Sequence, residues 1–274
     1  MKALITIFLV FSLCKSLTAH DTLTFGVIST VEVHLMEKKL TPLIKYLEKK
    51  TNKKIVFQSG YNYQDTINKF ADGTFDIGFI GPSPYIKVKK KQPNALIILA
   101  KLENIDNNSF RSVIISKKGS SIRSLSDLSN KSFAFGSPNS TLSYYVPMKM
   151  LIDEDKLKSL EKYNFLGRHD KVAQYVIIGK YDAGAIKKSV ADKYVDYLQN
   201  IATSEVYPDF LIVANSKVEQ EITTKIQEAL LELRDVRVLK EIKTSAIGFQ
   251  KTNEDEYKEL ELVMKKVDDY MKEE

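Results

Sequence analysis

The chain has 274 residues, of which 43% are hydrophobic and 28% are charged, with one cysteine and no tryptophan. This composition excludes a largely disordered chain and a fibrous repeat, and the length allows one large domain or two modest ones. The formal net charge is +6, and setting aside residues 1–19 leaves 39 basic and 35 acidic residues, a net charge of +4. The basic residues are dispersed, whereas nucleic-acid-binding proteins usually carry a clustered basic face. We therefore predict no nucleic-acid partner.

The first 19 residues have the order of a secretory signal. Lys2 gives a short charged start, residues 3–13 are almost purely apolar, and small and polar residues follow up to Ala19. Because the apolar stretch is shorter than the roughly 20 residues of a membrane-spanning helix, we predict a cleaved signal peptide, 1–19, and a periplasmic protein. A buried first strand or helix is the alternative interpretation. Cys14 leaves a lipid tether open, because a lipoprotein signal places a cysteine just after the apolar stretch.

Enzyme signals are scarce in the rest of the chain. From Asp21 onward there is no cysteine, which excludes a disulfide, a thiol nucleophile and a cysteine-ligated metal there. Walker, dinucleotide-binding, Gly-x-Ser-x-Gly and His-Glu-x-x-His motifs are missing. The three histidines, His20, His34 and His169, leave few candidates for a triad or a zinc site. We therefore predict no cofactor, no metal and no enzymatic activity.

From residue 23 onward, short apolar stretches alternate with longer amphipathic ones. Strands are predicted at 23–28, 54–57, 76–80, 95–100, 111–116, 133–135, 163–166, 182–186 and 210–213. Helices are predicted at 40–51, 63–70, 124–128, 141–152, 170–178, 218–233 and 254–271. Because strands joined by helices form right-handed crossovers, this alternation predicts an α/β fold with mostly parallel sheets.

No linker rich in proline, glycine or serine divides this pattern. Its absence argues against two domains in tandem and favours two α/β lobes joined by segments that cross between them. We place the crossings near 104–110 and 204–210. Lobe 1 is then formed by residues 21–104 and 211–274, and lobe 2 by residues 110–205.

Two segments at predicted strand ends carry residues suited to ligand binding. The first is Gly81-Pro82-Ser83-Pro84-Tyr85, at the sheet edge where open α/β folds bind ligands. Tyr85 presents its hydroxyl there or packs as core. The second is the hydroxyl-rich stretch with Ser140, Thr141 and Ser143, just before a predicted helix. Backbone N–H groups and hydroxyls at a helix N-terminus attract anions, whereas helix capping alone is the plainer interpretation.

Two further residues are candidates on weaker grounds. His169 follows a predicted strand, beside Asp170, to which we assign the cap of the next helix. Asp209 follows Pro208 at the second predicted crossing. A lone histidine and an aspartate in a turn are more often structural than functional.

Together these segments resemble the phosphate/phosphite/phosphonate-binding proteins of ABC importers, a family of type II periplasmic binding proteins. The resemblance covers about residues 22–250, and its motifs occur here in the expected order and spacing. They are residues 76–85, residues 124–135, residues 138–141 with Pro147, residues 169–170 and residues 179–184.

The resemblance implies a two-lobe fold that closes on a phosphorus oxyanion (phosphonate, phosphite or phosphate) held in the cleft between the lobes. It implies an ABC permease and ATPase as partners of a monomeric binding protein. The ligand contacts that it implies come from Tyr85, Ser140, Thr141, His169 and Asp209, with Tyr63 ranked lower. The family's third hydroxyl is Leu142 here, so Ser143 replaces it only if the turn shifts.

Other functions stay open at this point. The same fold can serve a histidine kinase or a chemoreceptor, a secreted enzyme is a weaker alternative, and the ligand could be a vitamin or an organic sulfonate. Asp209 is an unusual neighbour for an anion. As an acceptor it would select a protonated oxyanion or an aminophosphonate, because an analogue without the donor would leave the carboxylate unpaired.

Overall fold

The computed structural model describes residues 22–28, 32–105 and 110–273. The predicted signal peptide with Cys14, and residues 106–109 of the first crossing, lie outside the described residues. Across the described ranges, no helix combines the length and the apolar character that a membrane span requires.

Strands and helices alternate along the described chain, as the hydrophobic pattern predicts. The strands are β1 (Thr22–Val27), β2 (Lys54–Ser59), β3 (Ile77–Ile80), β4 (Leu96–Asn104), β5 (Ser112–Lys117), β6 (Ser132–Phe135), β7 (Lys162–Phe165), β8 (Ala183–Lys187), β9 (Leu198–Thr203), β10 (Leu211–Asn215) and β11 (Ala246–Gln250). The helices are α1 (Val33–Thr51), α2 (Tyr63–Asp72), α3 (Pro82–Lys91), α4 (Val146–Asp153), α5 (His169–Ile177), α6 (Lys188–Ala191), α7 (Gln220–Glu232), α8 (Val236–Ile242) and α9 (Lys258–Glu273).

The strands form two sheets, which confirms the predicted α/β class. The first sheet has the order β11-β4-β10-β3-β1-β2, and the second has the order β7-β6-β8-β5-β9. The expectation of mostly parallel sheets is wrong, because β10 runs antiparallel to β3 and β4, and β5 runs antiparallel to β8 and β9. Each of these two strands is the first that the chain forms after passing from one sheet to the other. Each of them therefore runs opposite to those strands of its sheet that helices connect to one another.

The hydrophobic pattern misses several elements, and α3 matters most for the site. Gly81 and two prolines are typical of a turn. Here Gly81 is the residue before α3, and Pro82 is its first residue. Proline is tolerated at that position, because its missing N–H would have no partner inside the helix. The other missed elements are α6, β9, α8 and β11.

Strands β1 and β3 approach each other closely at two paired glycines. A Cβ atom added to Gly78 would lie 2.2 Å from the Gly26 carbonyl oxygen and 2.6 Å from the Phe70 ring. We therefore expect Gly78→Ala to lower the free energy of unfolding by about 1–3 kcal/mol, since overpacking displaces the backbone. Gly81→Ala is the control, because its added Cβ meets nothing closer than 3.4 Å. Equal urea midpoints for both variants would contradict this account.

The last helix, α9, packs on both halves of the molecule, each half being one sheet with the helices around it. It contacts α3, next to the first sheet, and α4, next to the second. Its buried residues Leu260 and Met264 share one core with Val88 of α3 and Leu151 of α4. Tyr145 adds a hydrogen bond from its hydroxyl to the Asp268 carboxylate at 3.2 Å. This helix therefore joins the two halves on the side where they meet.

Candidate functional site

The hydroxyl-rich segment after β6 forms the start of a helix between the two sheets. Ser140 is the N-cap residue, and its Oγ accepts a hydrogen bond from the Ser143 N–H at 3.2 Å. The first turn, Thr141–Tyr145, is a wider π turn that continues directly into α4. The segment therefore caps a helix, which agrees with the plainer interpretation. Only the Ser140 hydroxyl is used as the cap, and the other hydroxyl groups of the segment have other partners.

Four of the predicted site residues line one small cavity at this helix start. The cavity has a volume of about 20 Å³, and its polar lining consists mainly of buried hydroxyl and imidazole groups. The His169 Nε2 lies 3.3 Å from the Ser140 Oγ, and the Tyr63 hydroxyl is hydrogen-bonded to Ser140. The lining residues are Ile28, Tyr63, Gly81, Pro84, Phe110, Ser140, Thr141, Leu142, His169, Lys187 and Phe210.

His169 lies at the first position of α5 and is 3% exposed. Its Nδ1 accepts a hydrogen bond from the Lys187 N–H at 3.0 Å, so the proton of the neutral ring belongs on Nε2. Burial, followed by the charge of Lys187, holds the pKa of His169 well below its ordinary value of 6.5. At neutral pH the imidazole is therefore an uncharged donor that points its N–H toward Ser140.

This burial makes the stability of the protein depend on pH. The unfolded histidine takes up a proton below about pH 6.5, whereas the folded one resists protonation because its pKa is lowered. The free energy of unfolding should therefore fall as the pH drops below 6.5, by at most about 1.4 kcal/mol per pH unit from this residue. Urea unfolding between pH 5 and 7.5 measures the slope. His169→Gln should flatten it, and His34→Gln, which changes an exposed histidine, should not.

Tyr63 begins α2 and brings a phenol from the first half of the molecule to this cavity. Burial raises the pKa of Tyr63 above its ordinary value, and the hydrogen bond with Ser140 opposes that shift in part. The phenol thus keeps its proton at any physiological pH and can donate a hydrogen bond to an oxyanion.

The predicted contact from Tyr85 does not reach this cavity. The Tyr85 side chain is 2% exposed, and its hydroxyl donates to the Glu254 carboxylate at 3.1 Å. Ser83, in the first turn of α3, contacts the hydroxyl segment instead. Its N–H donates to the Thr141 Oγ1 at 3.0 Å, and its Oγ donates to the Asn139 carbonyl oxygen at 2.9 Å. Sequence reasoning missed Ser83, although it stands inside the same motif.

Ser143 also lies away from the cavity. It is fully buried, its Oγ accepts a hydrogen bond from the Gly136 N–H at 2.8 Å, and it donates to the Ala185 carbonyl oxygen. The hydroxyl therefore ties the helix start to β8. Leu142, which stands in the family's third hydroxyl position, contributes an apolar side chain to the lining.

Asp209 is buried and already has several partners. Its carboxylate pairs with the Lys243 ammonium at 2.5 Å and accepts a hydrogen bond from the Asn104 Nδ2 at 2.9 Å. The Phe210 N–H donates to the same carboxylate at 2.8 Å. Asp209 lines a second, larger cavity next to the small one. The structure thus brings together Tyr63, Ser140, Thr141 and His169, and it places Asp209 one cavity away.

Several contacts bridge the cleft between the two halves of the molecule. Ser83 meets Thr141 at the small cavity, and Arg168 pairs with Glu32 at 2.7 Å. Arg168, rather than the predicted Asp170, is the cap residue of α5, and Asp170 instead pairs with the Arg168 guanidinium at 3.1 Å. The cap thus lies two residues earlier than predicted, because α5 already begins at His169.

The model of a family described as "ABC transporter, phosphonate, periplasmic substrate-binding protein" matches residues 25–257. The chain belongs to this family. Membership confirms the resemblance noted in the sequence and the prediction of a substrate-binding protein of ABC import. The phosphonate-binding family is periplasmic by description, which supports the predicted location. The signal peptide and the lipid tether stay predictions.

Individual relatives in the phosphonate-binding family agree with this assignment. "Phosphate-import protein PhnD" of Mycolicibacterium smegmatis is 24% identical over 242 residues, which cover 81% of this chain and 74% of the relative. "Probable ABC transporter phosphite binding protein PhnD1" of Prochlorococcus marinus is 26% identical over 231 residues, 77% of each chain. The solved structure of PhnD1 from Prochlorococcus marinus with methylphosphonate covers 90% of this chain and 98% of its own, with a TM-score of 0.81 and 24% identity. It confirms the type II periplasmic-binding-protein fold.

Proposed function

We propose that this protein captures a phosphorus oxyanion in the small cavity and delivers it to the permease and ATPase subunits of an ABC importer. The observation that carries the proposal is the convergence of four proton-donating side chains on that cavity: Tyr63, Ser140, Thr141 and His169. Relatives described as binding phosphite, importing phosphate or holding methylphosphonate support the ligand class.

The donor set suits a tetrahedral oxyanion. A phosphonate or phosphate oxygen needs several hydrogen-bond donors at once, and the hydroxyl, phenol and imidazole groups supply them. The neutral His169 ring and the helix start add favourable polarity without a full positive charge at the contact. Thr141 accepts a hydrogen bond from the Ser83 N–H, and its own hydroxyl proton points to the Ser83 Oγ at 2.8 Å. That proton becomes available to a ligand when the cleft opens and the two hydroxyls separate.

Calorimetry on the mature protein tests the proposal. Methylphosphonate, phosphite and phosphate are compared with sulfate, which has the same shape as phosphate but carries no proton at neutral pH. We expect at least one of the three phosphorus compounds to bind about 10-fold or more tightly than sulfate, because a specific hydrogen-bonding site discriminates strongly. If none of the three binds, or if sulfate binds equally well, the proposal fails.

The proposal includes binding without chemical conversion. The cavity offers donors for an oxyanion, and the sequence carries none of the nucleophile–base motifs typical of hydrolases. Phosphorus NMR on the released ligand should therefore show the compound that was added, unchanged after long incubation. A new phosphorus signal that grows with protein concentration would indicate an enzyme instead.

The proposal also includes a hinge motion about the segments near 104–110 and 204–210. The small cavity, at about 20 Å³, has little more room than one water molecule needs. The contacts that bridge the cleft at Ser83 and Arg168 must therefore open to admit a ligand. We expect the radius of gyration from small-angle X-ray scattering to fall when a tight ligand is added. An unchanged radius would contradict hinge closure, and the scattering mass checks the predicted monomer.

A further inference from the structure

A larger cavity lies beside the oxyanion site and is rich in lysine. It has a volume of about 150 Å³ and is lined by residues from both halves of the molecule. The charged residues in this lining are Lys39, Lys187, Lys193, Asp209, Lys240 and Lys243. Five ammonium groups therefore surround a space that has one carboxylate.

The single carboxylate does not neutralise this cluster. Asp209 pairs with Lys243 and also accepts a hydrogen bond from Asn104. Within the described parts of the chain, Lys39, Lys193 and Lys240 form no salt bridge. The larger cavity thus has a marked excess of positive charge.

Burial and, after it, neighbouring positive charges lower the pKa values of two of the lysines, although Glu241 opposes the shift of Lys39. Burial, followed by the charge of Lys39, lowers the pKa of Lys187 to about 8, and the opposing effect of Asp209 does not restore it. Burial, followed by the charge of Lys193, lowers the pKa of Lys39. An anion placed among these groups would relieve their mutual repulsion.

The two cavities are neighbours that share part of their lining. Phe110, Lys187 and Phe210 line both of them. The rings of Phe110 and Phe79 pack against Phe210 at centroid distances of 5.8 and 4.7 Å, so the boundary between the two cavities is largely apolar. A short carbon chain that leads from a head group at Ser140 to the lysines would lie against these rings, which suits its apolar character.

We propose that the ligand of this protein is a phosphonate whose short carbon chain ends in a second anionic group, such as a carboxylate, held in the lysine-lined cavity. The inference rests on the proposed function, since it takes the phosphorus oxyanion at Ser140 as given. It differs from the expectation that Asp209 receives an amine. Lys243 and Asn104 already bind the Asp209 carboxylate, and the other lysines of the larger cavity would repel the ammonium group of a ligand.

Three phosphonates of similar length test the inference by calorimetry: 3-phosphonopropionate, propylphosphonate and 3-aminopropylphosphonate. They share the phosphonate head and differ in whether the chain ends in an anion, a methyl group or a cation. We expect 3-phosphonopropionate to bind about 10-fold or more tightly than propylphosphonate, a difference of about 1.4 kcal/mol. The aminopropyl compound should bind most weakly.

The outcomes separate the two proposals. Equal affinities for the three compounds, or a preference for the amine, would overturn the second anionic site and leave the oxyanion site standing. If none of the three binds, and methylphosphonate, phosphite and phosphate do not bind either, the proposed function fails and the inference fails with it.

A charge variant tests the same point on the protein. Lys193 and Lys240 are exposed, so the double change Lys193→Gln with Lys240→Gln should leave the fold intact. The ratio of the affinities for 3-phosphonopropionate and propylphosphonate should fall to less than about half of its original value. Exposed charges at the edge of the cavity contribute to the electrostatic potential inside it. Lys265→Gln, which removes an exposed charge from α9 outside the cavity, should keep the full preference. A preference that survives the double change would overturn the inference.

Discussion

Replacing Thr141 by valine is expected to weaken the binding of methylphosphonate or phosphate by about 10- to 100-fold. The substitution keeps the shape of the side chain and removes the hydroxyl from Thr141, a buried residue that lines the small cavity. A hydrogen bond to a charged group contributes about 1.5–3 kcal/mol, and each 1.4 kcal/mol changes the affinity about tenfold. Calorimetry on samples with matched thermal unfolding curves measures the effect.

Two further variants separate ligand contact from closure of the cleft. Thr141→Ser keeps the hydroxyl and should bind nearly as well as the parent. Ser83→Ala removes the Ser83 hydroxyl, which contacts Thr141 at 2.8 Å across the cleft, but leaves the Thr141 hydroxyl in place. If Ser83→Ala weakens binding as much as Thr141→Val, Thr141 acts through closure rather than on the ligand. If Thr141→Val binds as tightly as the parent, the oxyanion lies elsewhere.

Replacing Leu260 by alanine is expected to lower the free energy of unfolding by about 2–5 kcal/mol. Leu260 is fully buried on α9, in the core that joins α3 and α4. Truncating a buried leucine loses its transfer free energy and leaves a cavity that the neighbours fill only in part. Urea unfolding followed by circular dichroism gives the change.

The same helix provides the control for this prediction. Leu262 lies two residues away and is 68% exposed, so Leu262→Ala should change the free energy of unfolding by less than about 0.5 kcal/mol. Comparable effects of the two substitutions would show that the packing of α9 is not what stabilises the protein. A smaller slope of the unfolding curve for Leu260→Ala alone would indicate that the halves unfold separately.

Much of the fold could be predicted from the sequence because the relevant signals are local. The alternation of short apolar stretches with amphipathic ones depends on side chains a few residues apart, and it located β1, β3, β6 and α7 to within a few residues. The hydroxyl-rich segment at 140–143 is also recognisable locally, since its residues favour a helix start. The order of the motifs then indicated the family.

The orientation of strands and the starts of some helices required the tertiary structure. β10 lies between β3 and β4 because the chain returns from the other half, and no local pattern records that direction. Similarly, α3 begins at a Gly-Pro pair that is typical of a turn. It packs against α9, and its residue Tyr85 bonds to Glu254, which lies shortly before α9 and 169 residues further along the chain.

The site shows the same division between local pattern and long-range partner. The sequence by itself determined which segments carry donors: Ser140, Thr141 and His169 are candidates from their positions in the chain, and Tyr63 is a candidate from the family resemblance. Only the tertiary structure decided which of the hydroxyl-bearing residues line the small cavity. Ser143 bonds to a carbonyl 42 residues away, and Asp209 pairs with Lys243, 34 residues away. The lysine cluster is likewise invisible in the sequence, because its members are spread over some 200 residues and meet only when the two halves come together.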